Sequence, residues 1–88
     1  MQWQKVAPRF LFLVPETSGV YMFSVGDQVV YVGQATNLQA RIKQHFSESE
    51  QNTDLKNIIQ HYQVSVLYAV VGKFELSRIE SALYYQYR

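Results

Sequence analysis

Arg41 and His45 stand four residues apart, and a helix through them would place both on one face. A guanidinium donates in a two-pronged fork to phosphate, and an imidazole orients or exchanges a proton near neutral pH. On its own such a pair is also what a solvated helix edge looks like. Glu80 is the more pointed signal. On a helical wheel it falls between Leu76 on one side and Leu83, Tyr84 and Tyr87 on the other, so a carboxylate sits within the apolar stripe. An unpaired buried carboxylate is costly and needs a cation, a metal or a set of donors. Two readings follow: a structural salt bridge to Arg41 or Lys43, or a ligand to a hard, oxygen-binding cation such as magnesium, which keeps several waters. Tyr21 and Tyr31 add phenols, although among seven tyrosines either alone is an ordinary amphipathic packing residue.

The elements that must position these groups can be read from periodicity. Residues 20–25 and 28–32 are rich in Val, Tyr, Phe and Met, and they flank Gly26-Asp27, a pair suited to a tight hairpin turn. A two-residue turn there pairs Tyr21 with Val32 and sends the two tyrosines to opposite faces of the sheet. If both serve one site, an odd loop or a bulge must realign them. After Gly33 the period changes: Leu38, Ile42 and Phe46 recur at helical spacing, with Thr36 or Asn37 as the cap. Gly33 itself is expected to let the chain bend into this helix and to leave room for a polyanion.

A polar connector, residues 47–54, leads to a second helix with Leu55, Ile58, Ile59 and Tyr62 on one face and Asn52 or Thr53 as cap. "VSVLYAVV", residues 64–71, is a β-branched and aromatic run with the character of a strand covered on both sides. A last helix over residues 75–87 carries Leu76, Ile79, Leu83 and Tyr87. The expected order is β-β-α-α-β-α.

Composition narrows the function classes. At 88 residues the chain has room for one domain, read here as residues 1–88, with a small core. The absence of cysteine excludes a disulfide framework and a thiolate zinc site, and two histidines do not make a zinc site by themselves. No apolar run approaches the roughly 20 residues a bilayer requires, and no signal-peptide pattern is visible, so the expectation is a soluble, cytoplasmic protein with no membrane partner. A net charge of +1 would steer nucleic acid only weakly, so any polyanion site must be local.

Taken in order, Gly19-Val20-Tyr21, Tyr31-Val32-Gly33, Arg41 and Glu80 resemble the GIY-YIG nuclease family. "YVGQATNLQAR", residues 31–41, is also similar to that family's "YIG-x-A-x-N-L-x-x-R" segment. The resemblance implies an α/β fold, a three-stranded antiparallel sheet flanked by helices. It implies an endonuclease that hydrolyses phosphodiester bonds in DNA with a divalent metal, Mg2+ or Mn2+, in a setting such as DNA repair. By the same resemblance Glu80 is the protein's metal ligand, Arg41 holds the scissile phosphate, and Tyr21 is the general base or its positioning partner. Tyr31 and His45 orient water, phosphate or leaving group. Gln34 stands where many members carry Lys, which removes a cation. The alternative is a non-cleaving module of the same fold that binds nucleic acid or a protein. In either case specificity would come from a partner protein, an additional domain or a second copy of the chain.

Overall fold

The computed structural model describes residues 2–47, 52–76 and 78. Strands β1 (Gln4–Val6), β2 (Gly19–Val25) and β3 (Gln28–Ala35) precede helices α1 (Leu38–His45) and α2 (Thr53–His61). Strand β4 (Ser65–Val70) follows, and 3₁₀ segments occupy Pro8–Leu13 and Lys73–Glu75. The sheet is antiparallel throughout, with the order β1-β4-β2-β3. Among the described residues it therefore has four strands where three were expected. The added strand covers the edge that β4 would otherwise leave open, pairing Gln4 with Tyr68 and Val6 with Val66. Three residues are too short for an alternation pattern to be visible in the sequence.

The hairpin turns at Gly26-Asp27 with φ of +59° at Gly26 and no positive φ at any other described residue, the pattern of a Gly-first two-residue turn. Val25 pairs with Gln28 and Ser24 with Val29, but Phe23 pairs with Tyr31. Val30 is the extra residue of a bulge. Beyond it the register reverses faces relative to a plain hairpin: Tyr21 lies opposite Gly33, and Tyr21, Phe23 and Tyr31 share one face.

That face carries the larger core. Tyr21, Phe23 and Val66 meet Leu38 and Ile42 of α1, Leu55 of α2, and Leu11 and Val14 from the 3₁₀ region. Burying side chains such as Leu38 and Ile42, both fully inaccessible, contributes about 1.5–3 kcal/mol each. The opposite face carries a smaller aliphatic cluster of Val20, Ala69, Val71 and Leu76, with Trp3 and Val32 against it. Strand β4 is thus covered on both faces, by way of Val66 on one and Ala69 on the other.

Helix α1 is fixed at its start. Asn37 caps it by accepting from the Ala40 amide at 3.0 Å, while Leu38 and Gln39 donate their backbone N–H groups to the carbonyls of Thr17 and Pro15. The Gln39 amide also donates to the carbonyls of Phe12 and Val14. Asn52 caps α2 in the same way, accepting from the Leu55 amide. The Lys73–Glu75 turn leads into Leu76, which is buried in the smaller cluster. The rest of the stripe expected for the last helix, from Ile79 onward and including Glu80, lies outside the described residues. Among the described residues no helix is long and apolar enough to cross a membrane.

Candidate active site

Strand β2 delivers Tyr21, strand β3 delivers Tyr31, and α1 delivers Arg41 and His45. Leu38 and Ile42 plug the helix into the core, which turns His45, one turn further on, toward the sheet. Its imidazole is only 2% exposed and packs among Tyr21, Phe23 and Tyr31, with ring centroids 5.5, 5.3 and 5.0 Å away. The rings of Tyr21 and Tyr31 stack at 6.1 Å. A hydrogen bond of 2.7 Å joins the Tyr21 hydroxyl to His45 Nε2. His45 is therefore no solvated helix edge, whereas Arg41, on the flank of the same helix, is exposed.

Burial pushes the Tyr21 phenol well above its ordinary value, and the adjacent Tyr31 phenol adds to the rise. The Arg41 guanidinium acts in the opposite direction, by its charge and by hydrogen bonding, but does not prevail. Arg41 alone thus does not draw this phenol down. Arg41 is itself held by a 2.9 Å hydrogen bond from Nη1 to Gln44 Oε1. Gln44 was not singled out from the sequence, although its i, i+3 spacing from Arg41 was a usable signal.

Gly33 has a different role from the one expected. It lies within β3, not at a bend, and the Tyr21 ring crosses directly over it. A Cβ there would stand 2.6 Å from both Cζ and Oη of Tyr21. Only a residue without a side chain lets the phenol lie flat enough to reach His45.

A family model for the UvrC-like GIY-YIG domain matches residues 17–86, most of the chain. The chain belongs to that family. With membership comes the enzyme class, a GIY-YIG-type endonuclease domain. Among relatives, UvrABC system protein C of Aquifex aeolicus is 32% identical over 84% of this chain and 13% of its own length. The protein of the same name from Thermosipho africanus is 31% identical over 89% of this chain and 14% of its own. The chain thus spans about one seventh of those relatives. The crystal structure of the GIY-YIG N-terminal endonuclease domain of UvrC from Thermotoga maritima superposes with a TM-score of 0.75 at 25% identity. The match covers 91% of this chain and 87% of that one, which is a point variant bound to its catalytic divalent cation.

In this GIY-YIG domain the first tripeptide ends at the hydrogen-bonded Tyr21 and the second starts at the stacked Tyr31. The bulge brings them to one face. Of the predicted site residues the structure gathers Tyr21, Tyr31 and His45 into one aromatic cluster with Arg41 at its border. Glu80 lies outside the described residues. No group of three or more His, Asp, Glu or Cys side chains converges among the described residues.

Proposed function

We propose that the chain is a metal-dependent endonuclease domain that hydrolyses DNA phosphodiester bonds through Tyr21, Tyr31, Arg41, His45 and Glu80. The observation that carries this reading is the 2.7 Å hydrogen bond between Tyr21 and His45 inside the tyrosine stack, with Arg41 bearing on the same hydroxyl. With His45 neutral and Nε2 unprotonated, the phenol donates to the imidazole. Its oxygen can then take a proton from the attacking water while its own proton passes to Nε2. Such a relay never leaves Tyr21 as a free phenolate, which fits a phenol whose burial disfavours the charged form. Tyr31 holds the Tyr21 ring by stacking. Arg41 pairs with the scissile phosphate, where a fixed cation stabilises the charge that grows in the transition state.

Glu80 would hold the divalent ion, Mg2+ or Mn2+, whose charge stabilises the phosphoryl oxygens and the leaving group when it is bound. The relatives named above are each called protein C of a UvrABC system, and the family resemblance implies a setting such as DNA repair. We place this chain in the same kind of process, in the cytoplasm, with specificity added by a partner, by further chain or by a second copy. Cleavage of supercoiled plasmid with magnesium or manganese tests the reading. The parent should cut and stop on addition of chelator, and Glu80→Ala should lose at least about two orders of magnitude in rate. Equal rates for Glu80→Ala and the parent would sink it.

A further inference from the structure

Beside Arg41, on the flank away from the 3₁₀ segment, the edge strand β3 and helix α1 enclose an open groove of about 400 Å³. Gln34, Thr36, Asn37, Arg41 and Gln44 supply its polar lining, and among the described residues no carboxylate takes part. The side-chain amide oxygens in this set are either engaged within the protein or buried. Asn37 Oδ1 caps the Ala40 amide, and Gln44 Oε1 holds Arg41. Gln34 Oε1 is buried with no hydrogen-bond partner, so it is not exposed to the groove. What the lining side chains still offer is mainly donors: three side-chain NH₂ groups, the rest of the guanidinium, and the Thr36 hydroxyl, which can also accept. The first backbone amides of α1 are not among them, because Thr17, Pro15 and Asn37 already accept from them.

A donor-rich lining next to a cation has the chemistry of an anion track, and neutral donors contact phosphate oxygens widely in nucleic-acid complexes. We propose that this groove seats a phosphodiester of the DNA backbone flanking the scissile one, with Gln34, Thr36 and Gln44 as its ligands and Arg41 shared between the two phosphates. The proposal rests on the nuclease reading above. It also answers how a chain of net charge +1 holds a polyanion, since the contacts are local and mostly uncharged.

The test is duplex DNA binding by the full chain in chelator, measured across a salt series, together with plasmid cleavage in magnesium. Thr36 is exposed, so Thr36→Lys should fold and add one phosphate-neutralising charge. The slope of log affinity against log salt should steepen by about 0.9. Thr36→Glu should weaken binding several-fold, and its loss should shrink at high salt. Asn57→Lys, exposed on α2 and remote from the groove, should leave both slope and cleavage at parent values. If the parent cuts DNA but Thr36→Lys moves the slope no further than Asn57→Lys does, the groove is overturned and the nuclease reading stands. If the parent neither binds nor cuts DNA, both fall.

Discussion

The two faces of β2 are built from alternate residues of one short strand, yet they do different work. Tyr21 and Phe23 point into a cluster where three aromatic rings surround a buried imidazole and a polar pair is closed by one 2.7 Å hydrogen bond. Val20, one residue away, is equally inaccessible but, among the described residues, clusters with the aliphatic Ala69, Val71 and Leu76, with Trp3 and Val32 against them. The first face is tuned by where hydroxyls and ring nitrogens lie, the second by volume alone. A buried polar network depends on every member being satisfied, whereas an aliphatic cluster loses stability in proportion to what is removed.

Tyr21→Phe and Val20→Ala break this comparison most sharply. Removing one phenolic oxygen leaves ring packing intact but takes away the proton acceptor of the relay, so cleavage should fall by about 10²–10⁴-fold. Unfolding should shift only by the roughly 1–3 kcal/mol cost of the His45 partner left unsatisfied. Val20→Ala should do the reverse, costing about 2 kcal/mol of stability through lost burial and a small cavity while the folded protein cuts at close to the parent rate. Plasmid cleavage rates beside urea unfolding check both. Comparable rate losses in the two variants would show that the faces are not functionally separate.

Gly33→Ala tests the same contrast through the neighbouring strand. The added methyl meets the far end of the Tyr21 ring, a side chain that can swing aside, so the fold can absorb it while the Tyr21–His45 hydrogen bond cannot. Gly19→Ala instead meets the backbone carbonyl of Ala69 and the Leu38 side chain, where nothing yields cheaply. Gly33→Ala should therefore lose about tenfold or more in cleavage, as a roughly 1 Å misplacement of a reacting group does, with a modest change in unfolding midpoint. Gly19→Ala should lose most in stability.

Much of this was legible in the chain. The hairpin, both described helices and β4 follow from period and turn chemistry, each Asn cap was one of two candidates, and a shared site for Tyr21 and Tyr31 called for an odd loop or a bulge, of which the structure has the bulge. What the sequence hid has physical causes. Strand β1 is too short to show alternation, and its place depends on the open edge of β4. His45 looked like a helix edge because its burial comes from three rings supplied by other strands. The role of Gly33 is set by a ring twelve residues earlier in the chain, reached only through the sheet register.

The smallest effect expected is also set by the polar face. The Tyr21 phenol is raised in the folded protein, first by burial and then by Tyr31, relative to about 10 in the unfolded chain. The neutral phenol is therefore the form that the fold favours. Its contribution is fully present below pH 10 and is lost as pH climbs past the unfolded value toward the folded one. Between pH 6 and 9 stability should show no Tyr21 titration, and the decline should begin above pH 10. In Tyr21→Phe that alkaline decline should be shallower, because the variant has no phenol to ionise at this position, whereas Val20→Ala should keep the parent slope from a lower starting stability. Urea midpoints measured from pH 8 to 11 separate the two. An unchanged alkaline slope in Tyr21→Phe would mean that the other tyrosines govern it and that the burial of this hydroxyl matters to the chemistry alone.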